Sequence, residues 1–311
     1  MNVVESFAER FASVDPRLVA IALLLQAASF CLRSLAWRNI LAAAYPDRRV
    51  AALGVAAAYG TGIALNAFVP ARGGDVAKIA LVRSRIPGST VPTVIGTIGV
   101  LSVFDTALGV SLLGLAWATG LLAAPPAPPS PPGLELLAGH PWLVGVGVLA
   151  VVLVVALIAR RFLPALGRVW GRVLQGGAVV RSPRRYATTV VPVQLASWCC
   201  RIGAAYALLA AFHIPATLPA ALLVVVVGGI ATASGTPGGV GTQQLALAYA
   251  LHATASTASI VSFSIGMQLA VMAVNVTVGM TALMITFRTL RPVAAVRAGV
   301  GVAGRTRRRW R

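Results

Sequence analysis

Asn66-Ala-Phe-Val-Pro70-Ala-Arg72-Gly73-Gly74-Asp75-Val-Ala-Lys78 sets a proline, paired glycines and three ionisable groups between two apolar runs too short to be ordinary membrane spans. A charge at membrane depth costs about 2.5–3.5 kcal/mol on insertion scales, so it persists where it faces a cavity or a partner. The same design returns near the other end of the chain, in Ser234-Gly-Thr-Pro237-Gly238-Gly239-Val-Gly241-Thr242-Gln243-Gln244. Both stretches carry a Pro-x-x-x-Gly frame, Pro70 to Gly74 and Pro237 to Gly241. They read as two halves of one site.

Composition supplies the setting. Of the 311 residues, 58% are apolar and 11% charged, and the mean hydropathy is +0.86. Apolar runs of about 20 residues recur along the whole chain, the length that crosses hydrocarbon as a helix. Backbone in lipid must satisfy its own hydrogen bonds, and solid Leu/Val/Ala blocks do not alternate as barrel strands do. The expected fold is an all-α polytopic membrane protein with about seven to eight membrane helices.

The net charge of +19 does not call for nucleic acid. Its arginines sit between and after the spans, where the positive-inside rule places them. Cys31, Cys199 and Cys200 lie in apolar helices without disulfide or metal spacing, which assigns them to packing. Glu5, Glu9 and Asp15 ahead of the first span are the wrong charges for a cleaved leader.

Taken in order, the chain divides as one membrane domain, 1–311. A first repeat, 1–123, holds a span from about Leu18 to Ala44, a broken hairpin at 50–85 and a long span from residue 90. Residues 124–141, with six prolines between 125 and 132 and no Lys or Arg, form an extended external loop. A linking span at 142–159 leads to a basic cytoplasmic loop at 160–185 with seven arginines. The second repeat, 186–287, has the same order, with its hairpin at 218–251 broken at Ser234–Gly241. The tail 288–311 carries eight arginines and belongs on the cytoplasmic side of a cell membrane. Counting crossings gives the two repeats opposite orientations, and Leu35-Ala-Trp37-Arg38 has a weak echo in Leu195-Ala-Ser-Trp198 with Arg201 nearby. Inverted repeats with broken helices mark a transporter, and the breaks mark its binding site.

At these motifs the chain resembles the flippase-like integral membrane family named for the transmembrane region of lysylphosphatidylglycerol synthase. The likeness rests on Trp37-Arg38-x-x-Leu41, on Asn66-x-x-x-Pro70-x-Arg72-x-Gly74-Asp75-x-x-Lys78, and on Pro237-Gly238-Gly239-Val240-Gly241-Thr242. Two departures stand out. Gln243 and Gln244 occupy a region where the family commonly has a glutamate, and Leu101 and Ser102 precede Asp105 where Glu-Arg is common. The resemblance implies movement or binding of an anionic lipid or a polyprenyl-phosphate-linked lipid. Its partner is then membrane lipid, no cofactor is called for, and the alternative is a non-transporting module that binds lipid and docks a cell-envelope synthase.

The site expected from the motifs comprises Asn66, Arg72, Gly73, Gly74, Asp75 and Lys78 from the first hairpin. The second supplies Pro237, Gly238, Gly239, Gly241, Thr242 and Gln244. Arg72 beside a half-helix N-terminus makes a phosphate seat, or else pairs with Asp75. Lys78 either pairs with Asp75 or meets a headgroup at the cytoplasmic face. Asp75 and Asp105 are the candidates for proton coupling, with a pairing between Asp105 and an arginine of the first span as the other reading. Asn66 and Asn275 suit inter-helix hydrogen bonds, and Arg33, Arg38 and Arg201 suit interfacial anchors that snorkel. Catalysis and metal binding have thin support: His140, His213 and His252 are scattered, and no paired glutamates or acidic cluster appears. An intramembrane enzyme is the least favoured reading.

Overall fold

A computed structural model describes residues 13–66, 73–118, 170–233, 241–252 and 254–287. Nine α-helices among them are named here in chain order. They are α1 (Pro16–Ala44), α2 (Ala52–Asn66), α3 (Gly73–Arg85), α4 (Val91–Ala118), α5 (Pro183–Thr189), α6 (Val191–Ala211), α7 (Leu218–Ala233), α8 (Thr242–Ala250) and α9 (Thr257–Phe287). The protein is an all-α polytopic membrane protein. Four stretches are long and apolar enough to cross a bilayer: Pro16–Ala44, Val91–Ala116, Pro183–Ala211 and Thr257–Ala282. Ala52–Asn66 and Leu218–Gly229 are shorter apolar helices. The linking span 142–159 and the external loop lie outside the described residues.

Helix ends follow their local chemistry. Asp15 caps α1 by accepting from the Arg17 N–H at 2.8 Å, with Pro16 in the first turn, where a missing N–H costs nothing. Before Pro215, α6 closes in a Schellman turn: the Ile214 N–H donates to Leu209 O and the His213 N–H to Ala210 O. His213 takes φ 57°, a left-handed position usually given to glycine, and its Nε2 lies 2.9 Å from Ser13 O. That bond ties the end of α6 to the start of α1.

The two helix breaks fall where the sequence places them. α2 ends at Asn66 and α3 begins at Gly73; α7 ends at Ala233 and α8 begins at Thr242. In the first break α2 and α3 fold back antiparallel, since Asn66 meets Gly74 while Gly62 meets Lys78. A side chain on Gly74 would strike Gly62 and Asn66, so these glycines are what lets the hairpin close. α2 crosses α9 in the same manner, Gly60 against Gly279. The residues between the arms, including Arg72 in the first and Pro237, Gly238 and Gly239 in the second, lie outside the described residues.

Two apolar clusters occupy opposite ends of the bundle. One gathers Trp37, Ile40, Leu41, Val55, Val82, Val94 and Ala282 near the end of α1. The other gathers Ala22, Leu208, Leu209, Val224, Leu247, Ile260 and Phe263 near its start. α1 and α6 run together between them, joined by Ser29 and Ser197, whose hydroxyl oxygens are 2.9 Å apart. Cys31 and Cys199 are exposed, so they face outward from the bundle and do not pack its interior as expected.

Candidate functional site

Between the two clusters lies a cavity of about 410 Å³. Its wall draws on α1, α2, α3, α4, α6, α7, α8 and α9, and it brings together Arg33, Asp75, Lys78 and Arg201. Arg33 is 11 residues from Ala44, about 16 Å along the helix at ~1.5 Å per residue. Arg201 is midway between the ends of α6, and Asp105 is near the middle of α4. In a bilayer with roughly 30 Å of hydrocarbon these groups sit close to the midplane. Sequence position suggested interfacial anchors for Arg33 and Arg201; the structure instead turns both into the cavity. Arg38 stays near the helix end, donating to Val50 O at 3.0 Å.

A single polar chain runs through the wall. The Trp198 indole N–H donates to Asp105 Oδ1 at 2.8 Å, and the Arg33 guanidinium pairs with Asp105 Oδ2 at 2.5 Å. Arg33 Nε donates to the Tyr59 hydroxyl at 2.8 Å. The Lys78 ammonium then lies over two rings, 5.4 Å from the centroid of Tyr59 and 5.6 Å from that of Trp37, while pairing with Asp75 at 2.9 Å. Asn66 closes the chain: its Nδ2 donates to Asp75 Oδ1 at 3.3 Å, and its Oδ1 accepts from the Gly74 N–H at 2.8 Å. Five helices are joined by these contacts, and both described carboxylates at this depth are neutralised by a cation.

Several expectations change accordingly. Lys78 pairs with Asp75, as one of its two readings had it; it is buried, 7% exposed, and faces inward to Trp37 and Tyr59 in place of the cytoplasmic surface that the other reading gave it. Asp105 pairs with an arginine of the first span, as one of its two readings had it. The half-helix N-termini are not open anion seats at the N–H groups of Gly74 and Gly241: Asn66 caps the first, and Gln244 Oε1 accepts from the second at 2.7 Å. Gly241 supports that turn with φ 81°, a backbone region that side chains strain to enter. Gln244 is further tied to Gln268, Nε2 to Oε1 at 2.6 Å, so its neighbour Gln243 is the one that lines the cavity. Asn66 makes the inter-helix bonds expected of it, whereas Asn275 lines the cavity with no hydrogen-bond partner among the described residues. Gly73 and Thr242 open α3 and α8.

The residue that sequence reading undervalued is Arg201. Its guanidinium carbon lies 4.9 Å from the centroid of Trp198, a cation–π contact within one turn of α6. It has no carboxylate partner among the described residues. A signal existed, since Trp198 and Arg201 echo Trp37 and Arg38; the spacing differs by two residues, which points the second arginine inward.

An apolar helical bundle that gathers arginine, lysine and carboxamide groups around a midplane cavity is a membrane protein with an internal polar chamber. The chain belongs to the family of the lysylphosphatidylglycerol synthase TM region, whose profile matches residues 3–279. Comparison with curated proteins and with solved structures returns no match.

Proposed function

We propose that this protein is a lipid translocase, a carrier that moves an anionic or polyprenyl-phosphate-linked lipid by seating its headgroup in the cavity. The observation that carries this reading is Arg201, a half-buried cation that opens into the chamber with no carboxylate pairing it among the described residues. An arginine in low dielectric without an anionic partner is costly, and a phosphate oxygen arriving there relieves that cost. Arg33 and Lys78 stand in the same wall and extend the positive surface.

Asp75 and Asp105 are the proposed coupling carboxylates. Protonating either one releases its cation, Lys78 or Arg33, for the headgroup. The apolar clusters at the two ends act as the gates. The order long helix, short hairpin, long helix occurs twice, in α1 to α4 and in α5 to α9, which supports two inverted repeats with re-entrant hairpins rocking about the chamber. Arg72, Pro237, Gly238 and Gly239, which fall between the hairpin arms in sequence and outside the described residues, keep their proposed place in this reading. The cell membrane is the proposed location, with the Arg-rich tail in the cytoplasm.

A second reading has its own observation. Arg172, Arg181, Arg184 and Arg185 are all exposed on the basic loop, a surface suited to anionic headgroups or to an acidic cell-envelope synthase. Native mass spectrometry of the purified protein separates the two. Wild type is expected to retain a phosphate-bearing lipid that Arg201→Gln loses, with the four loop arginines irrelevant to retention. Equal retention by wild type and Arg201→Gln, with loss on neutralising the loop, would establish the docking module instead.

A further inference from the structure

A second concavity lies away from the chamber, at the end of the bundle where α1 stops. α2 and α9 touch at Gly60 and Gly279, where a Cβ on either would meet the partner's backbone. Leu53 on α2 and Ile285 on α9 are about 10 Å from that contact, at ~1.5 Å per residue, and both line one groove, so the helices cross antiparallel. The groove holds about 390 Å³. Its floor is the buried Val55, Val82 and Ile86, and its sides are the exposed Leu53 and Ile285. A Cβ on Gly54 would meet nothing within 4 Å, so the protein leaves space there that its own side chains do not fill. Among the described residues, groove and chamber share no lining residue.

The charge of the groove has one sign. Arg49 and Arg85 line it and are exposed, and no described carboxylate lines it. Arg48 and Arg83 flank them in sequence, and Arg38 lies close by, its Nε 3.0 Å from Val50 O. Asp47, exposed in the same turn, is the one acid set against these five arginines. Depth matters as much as sign. The membrane-crossing part of α9 ends at Ala282, three residues before Ile285, and Arg49 follows the end of α1 at Ala44. The apolar sides therefore lie at the edge of the hydrocarbon and the arginines at headgroup level, which is how an anionic amphiphile is built. A second copy of this chain would bring the same arginines to face them and be repelled.

We infer that this groove is a binding site for an anionic phospholipid of the adjoining leaflet, with its phosphate between Arg49 and Arg85 and an acyl chain along Leu53, Gly54 and Ile285. Arginine forks suit phosphate oxygens. The two arginines carry the only polar side chains of the lining, so the groove reads charge and not headgroup identity. The site is separate from the chamber and stands whatever the chamber carries.

The test is photo-crosslinking of the full chain in phosphatidylcholine vesicles, using trace lipid probes with a diazirine on one acyl chain and mapping the labelled peptides by mass spectrometry. A phosphatidylglycerol probe should label residues 49–55 and 82–86. A phosphatidylserine probe should match it within about two-fold, and a phosphatidylcholine probe should be about twenty-five-fold weaker, from roughly five-fold (about 1 kcal/mol) per arginine at an anionic surface. Arg49→Gln with Arg85→Gln should reduce the anionic probes to the phosphatidylcholine level. Gly54→Phe, which fills the open space and keeps both charges, should remove groove labelling by every probe; the exposed arginine pair carries the test if that variant fails to fold. Arg201→Gln should leave groove labelling unchanged, and its loss there would assign the lipid to the chamber and overturn the inference. Equal labelling by all three probes would make the groove ordinary lipid-facing surface and overturn it as well. So would the absence of groove labelling by any probe; a dimer in detergent that Gly54→Phe dissociates would then give the groove to a second copy of the chain.

Discussion

Arg33 and Asp105 meet in the middle of the bundle, guanidinium to carboxylate at 2.5 Å, although 72 positions separate them in the chain. Each is about a fifth exposed, and Arg33 lines the chamber with Asp105 behind it. The pair fixes α1 against α4, and through the Trp198 indole it fixes α6 as well. One contact therefore sets the mutual position of three long helices around the site.

Breaking that pair on one side should cost more than removing it. Arg33→Gln or Asp105→Asn strands a charge at depth and should lower unfolding stability by about 1–3 kcal/mol, below the figure for fully buried pairs because of the partial exposure. The double variant should lose less than the sum of the two single losses. Thermal unfolding in detergent measures all three. Strictly additive losses would mean that the two groups do not depend on one another.

Trp198 has two roles that separate by substitution. Trp198→Phe keeps a ring beneath Arg201 and loses the bond to Asp105, so anionic-lipid affinity should fall by roughly five-fold, the value of one hydrogen bond. Trp198→Leu removes the cation–π contact too and should fall further, by an added ~0.5–2 kcal/mol. Equal effects from both substitutions would deny the ring any part in seating Arg201.

The crossing of α2 and α9 gives a steric prediction. A Cβ on Gly60 or Gly279 meets the partner helix's backbone, whereas Gly54 on the same helix has open space around it. Gly60→Ala and Gly279→Ala should each destabilise by about 1–3 kcal/mol, and Gly54→Ala should be neutral or slightly stabilising. Unfolding midpoints in detergent provide the check, and a neutral Gly60→Ala would mean that the helices are not in contact there.

Asn66 should matter through α3. Its Oδ1 caps Gly74 and its Nδ2 steadies Asp75, so Asn66→Ala loses a cap worth about 0.5–2 kcal/mol and loosens the Asp75–Lys78 pair. Asn66→Asp keeps the cap acceptor and puts a second acid beside Asp75. If like-charge repulsion governs the site, Asn66→Asp should lose anionic-lipid retention while preserving more helix stability than Asn66→Ala. Identical behaviour of the two variants would remove Asn66 from the electrostatics of the chamber.

Much of this architecture is legible in the chain. Runs of apolar residues about the length of a bilayer, stopped by Pro46, Pro70 and Pro215, define helices whose ends the structure moves by only a few residues. Asp75 and Lys78 are one helical turn apart, so their pairing is a local matter that spacing reveals. The site's centre is harder to read because it is assembled across the fold. Arg33, Asp105, Trp198 and Arg201 come from three helices, and nothing local says that an arginine in an apolar run faces inward and does not snorkel to the surface. Only the rotation of α1 against α6 decides that, and it is set by long-range packing such as Ser29 on Ser197. The same holds for Gln243 and Gln244, adjacent in sequence: one lines the chamber and the other is spent on Gly241 and Gln268.

The central claim is that Arg201 seats the phosphate of a lipid that crosses the bilayer through this chamber. Its most direct test is lipid flipping in proteoliposomes, with a fluorescent phosphatidylglycerol followed by reduction from outside. Wild type should flip the probe well above empty vesicles. Arg201→Gln, reconstituted to the same density and with an unchanged unfolding midpoint, should lose at least ten-fold of that rate, and Arg201→Lys should keep an intermediate rate because it retains the charge but not the fork. Flipping by Arg201→Gln at the wild-type rate would contradict the account.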